Sequence, residues 1–575
     1  MKFNKTLGFL LFFIILIHSF HPAVGAVKKD KALISQAIEE IEEQAPGWFK
    51  ERDVPGMAIA IVDEEKILWH QEYGFTDRTK EKPIDPETIF SIQSMSKSFT
   101  AMGVLMAVQD GLLDLDEPIT SYLPEFTVNS IHEKHPEDKM TLRLLLAHRA
   151  GFTHEAPLGG NYDCRPHTFE QHVISISDSW LRFPVGYRYS YSNLGIDLAG
   201  YILQKVSRQK FWDYIKAKVL IPLGMNSSSL DFDEIEKVEN RAIGHDMPRA
   251  KIPGGIPLVI PMIPAGGVYT NILDMAEYMR FHINKGQVAG KQLLRKDLIK
   301  DMHSVQFPEK NQKSGYGLCL VRSEVSDTYL LNHGGGGYGF ITSMTMYPEL
   351  KLGVVTLTNA NQSQVHSGRV QNIVTRLLVE KFGPTQVLPI DFDESGFKPV
   401  PDGKKRIKHL FGSYESGAIL GNENDVVGIR LNGRFYPLTL YSEKEGMVGK
   451  FGQNSELRFK PSIQGRPGAL VTLNRTTGSC SFYEFLQPEK TEDKPGPDKP
   501  GWKKYQGLYG YLVWGRQGGR VLRIDIRNGH LHVNGERCLE HVSKNGLFFT
   551  YTGEALDFRG TIPTFRNIMM FRRTW

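Results

Sequence analysis

The stretch Ser91-Ile-Gln-Ser94-Met-Ser96-Lys97-Ser98-Phe99 opens the run around which the chain is organised. Met95, Phe99, Met102 and Met106 recur at 4-3-4 spacing, while Ala101, Val104, Leu105, Ala107 and Val108 occupy the other sides. A helix apolar on nearly every side belongs in the middle of a domain. Its first turn nevertheless carries an ammonium group. Of the four serines here, only Ser94 has a lysine three residues on. Positions i and i+3 share one helix face, with Cβ atoms roughly 5–6 Å apart, so Lys97 can reach the Ser94 hydroxyl. Burial disfavours the charged form of lysine. A neutral amine beside a hydroxyl is a base beside a nucleophile. The pattern S-x-x-K fixes only two positions, so chance competes with catalysis until other motifs decide.

The 575 residues suggest two to four domains. Hydrophobic residues at 41% and charged residues at 23% give the balance of a soluble globular protein. A formal charge of +5 is small for this length. With no basic cluster beyond Lys404-Lys405-Arg406, it excludes a nucleic-acid binder. At the N-terminus Lys2 and Lys5 precede an apolar run from Leu7 to Ile17, and Ala23-Val-Gly-Ala26 offers small residues for cleavage. That order predicts a secretory signal over residues 1–26 and a secreted, extracytoplasmic product with no later membrane span. An uncleaved N-terminal anchor is the alternative. Cys164, Cys319, Cys480 and Cys538 are few and far apart, and free thiols or any of three pairings fit them. Neither a metal nor another cofactor is expected, because no C-x-x-C, H-E-x-x-H or other ligand spacing occurs.

Met57-Ala-Ile-Ala-Ile-Val62 and Ile67-Leu-Trp-His-Gln-Glu-Tyr73 read as a strand pair ahead of the central helix, which suggests an antiparallel sheet with helices packed on it. Gly111 is placed to close the helix that starts at Ser94. Thr141 to Gly151 reads as a short helix capped by Thr141, and its His148 as a satisfied core residue, with ligand or base the alternative. Tyr191-Ser192-Asn193 sits where a loop meets an apolar helix. Ser192 or Asn193 could cap that helix, or Tyr191 and Asn193 could face a shared cleft. Ala265-Gly266-Gly267 is a tight loop leading to a helix over 271–283. In His333-Gly-Gly335-Gly336-Gly337 the glycines allow close backbone approach, or simply a flexible turn. They do not open a helix as G-x-G-x-x-G, so no nucleotide is expected.

From about Ile407 the texture changes to short strands and turns. Residues 489–501 form a Pro-rich charged linker, and the segments on either side of it resemble each other. Gly412-Ser-Tyr414 answers Gly507-Leu-Tyr509, Asn432-Gly433 answers Asn528-Gly529, and Leu457-Arg-Phe459 answers Leu556-Asp-Phe558. A nearly constant offset predicts a duplicated small β domain, barrel-like in kind. The domain expectation is a signal at 1–26, a main domain at 27–390, β domains at 403–488 and 502–575, and the linker between them.

Together, Ser94-x-x-Lys97, Tyr191-Ser-Asn193 and His333-Gly-Gly335 resemble, in order and rough spacing, the serine hydrolases related to class C β-lactamases and penicillin-binding D,D-peptidases. The Leu-Leu-x-His148-x-x-Gly151 segment, Ala265-Gly266-Gly267 and Tyr316-Gly317 fit as well, and the resemblance spans about residues 35–385. It implies an α+β fold: an antiparallel sheet flanked by helices with an all-helical part beside it, followed here by the two small all-β domains. The nucleophile would start the buried helix, and the third motif would lie on an edge strand. Carried across, Ser94 forms an acyl-enzyme while Lys97 and Tyr191 share the proton work, the order between them left open. Asn193 holds a substrate amide or Lys97, His333 and Gly335 border the substrate, and the backbone N–H groups of Ser94 and Gly336 form the oxyanion hole.

Histidine at 333, where β-lactamases usually have lysine, is a weaker partner for a substrate carboxylate. The His-x-Gly form resembles certain D,D-carboxypeptidases, D-amino-acid peptidases and esterases. The expected activity is therefore hydrolysis of a small peptide containing D-amino acids. An esterase, a weak β-lactamase and a non-catalytic penicillin-binding sensor or scaffold are the alternatives.

Overall fold

The structure is a computed structural model. It describes residues 31–52, 54–163, 165–245, 261–325, 328–361, 364–382, 398–400, 402–443, 446–452, 455–460, 468–474, 479–483, 485–488, 499–513, 516–540, 544–550 and 552–573. The signal expectation, Cys164 and most of the linker lie outside the described residues.

The main body is built on one antiparallel sheet. Its strands are β1 (Gly56–Asp63), β2 (Ile67–Gly74), β3 (Gly315–Tyr316), β4 (Val321–Val325), β5 (Thr328–Gly337), β6 (Phe340–Tyr347) and β7 (Leu352–Thr358), in the order β2-β1-β7-β6-β5-β4-β3. Strand β1 reads as an unbroken apolar run because both its faces are covered. Met57, Ile59 and Ile61 pack under helices α1 (Lys31–Arg52) and α8 (Gln364–Phe382) with Ile41, Trp48 and Ile373. Ala58, Ala60 and Val62 face the opposite layer, which holds α2 (Ser96–Gln109) and α7 (Ile272–Ile283). The period-2 alternation of a strand makes this split automatic. Within that layer α2 is buried from Ser96 to Ala107, and Phe99 stacks on Tyr278 with ring centroids 3.8 Å apart.

Beyond α2 lies the helical part, which includes α3 (Leu142–Leu146), α4 (Phe169–Ser175), α5 (Asn193–Ser207) and the single turn α6 (Ile263–Gly266). Thr141 caps α3 as expected, accepting from the Leu144 N–H at 3.2 Å. The helix stops at Leu146, short of Gly151. His148 therefore sits past its end, in left-handed backbone with φ of 56°. A Cβ on Gly200 of α5 would stand 2.3 Å from Pro264 Cγ. Glycine there lets α6 press onto α5.

The expected position of the third motif needs refinement. Strand β5 is interior through Asn332, where its pairing with β4 ends, and only the half from His333 to Gly337 has a free edge. The short length of β4 creates that edge.

The remaining strands form two further units. Residues 398–488 contribute a six-stranded and a five-stranded antiparallel sheet around one core that includes Leu420, Ile429, Leu457 and Leu470. Lys398–Pro399 pairs with Tyr441 and Ser442, so this unit takes in chain upstream of residue 403. Residues 507–572 form a closed eight-stranded barrel. The two units repeat local devices. The Tyr414 hydroxyl donates to Leu410 O at 2.6 Å, and the Tyr509 hydroxyl donates to Tyr505 O at 2.8 Å. Asn432-Gly433 and Asn528-Gly529 both turn with φ positive at each residue, as a tight hairpin requires. No described helix is long and apolar enough to cross a membrane.

Candidate active site

Ser94 lies in a single 3-10 turn, Gln93–Met95, immediately ahead of α2 rather than inside it. Its neighbours are buried while Ser94 itself is partly exposed. The i,i+3 relation survives the change of helix type: Lys97 Nζ donates to Ser94 Oγ at 3.0 Å and to Ala265 O at 2.8 Å. The second bond follows from the packing of α6 onto α5. Lys97 is fully buried, and burial pushes its pKa down to about 8 against the opposing pull of Asp197, Cys319 and Glu155. A useful share of the amine is therefore neutral near physiological pH.

Tyr191 and Asn193 arrive on the loop that starts α5. The Tyr191 side chain faces Ser94, and Lys97 Nζ lies 5.1 Å from the Tyr191 ring centroid. Burial raises the Tyr191 pKa, partly offset by the nearby Ser94 hydroxyl, so the phenol keeps its proton in the resting site. Neither candidate caps α5. Ser192 occupies the N-cap position with no side-chain bond to the helix. The Asn193 amide instead donates to Glu155 Oε1 at 3.4 Å. Tyr191 faces the same site as Ser94, while Lys97 donates to Ser94 and Ala265 rather than to Asn193.

The third motif meets the nucleophile turn through backbone. A Cβ on Gly335 would stand 2.1 Å from Ile92 O and 2.4 Å from Thr342 Oγ1, so glycine is required for the strand to lie this close. Thr342 Oγ1 donates to Ile92 O at 2.9 Å and ties β6 to the same turn. Gly336 follows on the free edge of β5.

His333 is not a free donor. Its Nδ1 lies 2.7 Å from Gly334 O, which can only accept, so the proton sits on Nδ1 and Nε2 accepts from the Tyr316 hydroxyl at 3.0 Å. Tyr316 oxygen in turn accepts from His148 Nε2 at 3.2 Å, and His148 Nδ1 accepts from the Ser192 N–H at 3.2 Å. These tautomers are assigned from the hydrogen-bond network. Both histidines are neutral. Burial, aided by the Lys97 charge, pushes the His333 pKa down to about 4 and that of His148 well below its usual range. The core reading of His148 matches its burial and its bonds, yet this histidine also links the Tyr191 loop to β5.

Three groups had no part in the sequence reading. Glu155 is buried, accepts from the Asn161 N–H and amide at 2.9 and 2.8 Å, and pairs with His154 Nδ1 at 2.5 Å. His154 in turn stacks on Tyr191 with centroids 5.5 Å apart. Asp197 lies in the buried face of α5 beside His172. An isolated carboxylate in an apolar helix was a visible signal, of the same kind as Lys97. The third is Glu554, from the C-terminal barrel. It accepts from Thr153 Oγ1 at 2.8 Å and pairs with Arg182 Nε at 2.9 Å, and Arg182 Nη1 donates to Ser190 Oγ at 3.3 Å. Asn567 of the barrel donates to Glu155 O at 2.8 Å. The barrel thus braces the loop segments that carry His154, Glu155 and Tyr191. The three described cysteines, Cys319, Cys480 and Cys538, are unpaired thiols.

Comparison with known proteins agrees with this geometry. The model of the Beta-lactamase family matches residues 33–375. Protein flp of Staphylococcus aureus (strain MRSA252) is 24% identical over 361 residues, covering 61% of this chain and 68% of its own length. Beta-lactamase-like protein 2 of Dictyostelium discoideum is 24% identical over 348 residues, covering 58% of this chain and 61% of its own. Among solved structures, the octameric penicillin-binding protein homologue from Pyrococcus abyssi superposes with a TM-score of 0.52 at 24% identity, covering 77% of this chain and 98% of that one. SurE superposes with a TM-score of 0.52 at 20% identity, covering 79% and 100%. The likeness to these two structures is one of fold. The family match takes in more than half of the chain and all three motifs, so this protein belongs to the beta-lactamase family of serine hydrolases.

Proposed function

We propose that this protein hydrolyses an amide or ester bond through an acyl-enzyme on Ser94, with small peptides containing D-amino acids as its substrate class. The observation that carries the reading is the 3.0 Å bond from a fully buried Lys97 amine to Ser94 Oγ. Neutral Lys97 takes the Ser94 proton as the oxygen attacks the carbonyl carbon. Tyr191 is the less ready first acceptor because its pKa is raised, and it relays the proton to the leaving group. The backbone N–H groups of Ser94 and Gly336 stabilise the oxyanion, an effect worth about 3–4 kcal/mol per donor in comparable sites. Asn193 lines the substrate side of the Tyr191 loop. Water, activated by the same groups, then releases the acyl product.

Neutral His333, with both nitrogens engaged, supplies no positive charge for a β-lactam carboxylate. This supports a peptide or ester over a penicillin. The basic start and apolar run within residues 1–26 support export, so substrate would be met outside the cytoplasm.

The test is incubation with a fluorophosphonate and a fluorescent penicillin, with adducts mapped by mass spectrometry. An adduct on Ser94, lost in Ser94→Ala and Lys97→Ala, is expected. No adduct with either reagent overturns the proposal. A panel of D-amino-acid anilides, p-nitrophenyl esters and nitrocefin then sorts the substrate class. Turnover of esters alone would replace the peptidase reading with an esterase.

A further inference from the structure

Helix α5 buries Leu194, Ile196, Leu198 and Ala199, and among them it buries Asp197, whose side chain is 0% exposed. A carboxylate in such surroundings persists only if charge and hydrogen bonds compensate it. Two groups do so. His172 Nε2, on α4, lies 3.0 Å from Asp197 Oδ2, and the Ala265 N–H donates to Asp197 Oδ1 at 2.9 Å. The carbonyl of that same Ala265 receives Lys97 Nζ at 2.8 Å, and Lys97 reaches Ser94 Oγ at 3.0 Å. A continuous line of hydrogen bonds therefore runs from a buried histidine to the nucleophile, passing through one residue's N–H and C=O.

We propose that Asp197, backed by His172, is a positioning residue for Lys97, which it anchors and electrostatically tunes across Ala265. The inference rests on the hydrolase reading above, in which neutral Lys97 is the base. A carboxylate that pins the Ala265 N–H also holds in place the residue whose carbonyl receives the amine, and its charge acts directly on Lys97. His172 Nδ1 faces Leu158 O at 2.6 Å, so both ring nitrogens point at oxygens. Burial pushes the Asp197 pKa up against the pull of His172, Lys97 and the Ala265 N–H, while Asp197 raises that of His172 against burial, and a ring with an oxygen at each nitrogen holds both protons. The imidazolium then balances Asp197 on the side away from the lysine.

The other groups that act on Lys97 are accounted for. Burial keeps Cys319 a thiol and Tyr191 a phenol, and His148 and His333 are neutral. Glu155 is the other carboxylate, held ionised against burial by His154 and Asn161. Of the groups favouring the Lys97 charge, Asp197 acts most strongly.

A buried Asp–His pair could instead serve only to join α4 to α5, and the two roles separate by pH profile. The rate constant for fluorophosphonate labelling of Ser94 is measured against pH for wild type, Asp197→Asn and His172→Gln. Asp197→Asn keeps an oxygen for the Ala265 N–H but removes the charge, so the acid limb moves down by about one pH unit. His172→Gln leaves the Asp197 charge unbalanced, so the limb moves up. Opposite shifts at two neighbouring positions are what a packing role does not produce. Folded variants whose limbs coincide with wild type, or move the same way, overturn the proposal. If Asp197→Asn fails to fold, the direction of the His172→Gln limb decides. Absence of labelling in wild type would overturn the hydrolase reading and this inference together. Labelling with unmoved limbs would overturn this inference alone.

Discussion

The Tyr316 hydroxyl donates to His333 Nε2 at 3.0 Å, and this bond fixes the role of the third motif. It holds His333, kept neutral by burial, turned toward the protein, and the Tyr316 oxygen also receives His148 from behind the Tyr191 loop. Tyr316 thus joins the two sides of the cleft. Tyr316→Phe leaves His333 Nε2 without its donor at a cost of about 1–1.5 kcal/mol. Labelling of Ser94 should slow on the order of tenfold, with the cooperative melt of the fold retained.

Lys97 sets the pH dependence. In the proposed reaction the neutral amine is the active form, and its pKa is pushed down to about 8, so activity should be lost as pH falls below that value. The acylation rate should drop roughly tenfold per pH unit on the acid side and level off above it. Lys97→Arg keeps a permanent charge and should abolish the base, costing about 10²–10⁴-fold. A stopped-flow pH profile measures both.

Neighbouring glycines of the third motif should respond very differently. Gly335→Ala drives a methyl to 2.1 Å from Ile92 O, so β5 must move off the nucleophile turn, and labelling should be lost. Gly334→Ala meets its nearest atom, Thr342 O, at 3.6 Å, an ordinary contact. That variant should retain both fold and labelling within a factor of about three, since substitutions that break no contact stay near ±0.5 kcal/mol. Parallel labelling of the two variants is the measurement.

The barrel should prove part of the working enzyme. Glu554→Ala takes the carboxylate from Arg182 and Thr153 and leaves Arg182 only its bonds to Thr552 O and Ser190, at a cost of about 1–3 kcal/mol. A lower melting temperature is expected together with slower Ser94 labelling, because Arg182 also holds Ser190 beside Tyr191. Glu415→Ala breaks the 3.5 Å contact with Arg188, made by the other β unit, and serves as the milder control. Differential scanning fluorimetry and labelling rates read the two effects.

Much of this was legible in the residues themselves. The strand pair, the buried helix with Lys97 and the three motifs are local patterns, and local pattern is what periodicity and spacing encode. The repeat of Gly412-Ser-Tyr414 as Gly507-Leu-Tyr509 was visible too, and each tyrosine proved to bond a carbonyl four residues upstream. Chain order likewise put Ser94, Tyr191 and His333 forward as partners, though not at a distance.

What only the tertiary structure decided is which groups touch across long separations. His333 became a bonded ring because Tyr316 folds back over it and a neutral one because the fold buries it, and nothing in the four glycines beside it announces either. Glu155 and Glu554 gained meaning from contacts with segments distant in sequence, and Asp197 from the single turn that places Ala265 between it and Lys97. The physical reason is the same in each case. Sequence determines which faces are buried and which short-range pairs can meet, whereas a polar group's charge and direction are set by partners that packing alone brings within hydrogen-bond reach.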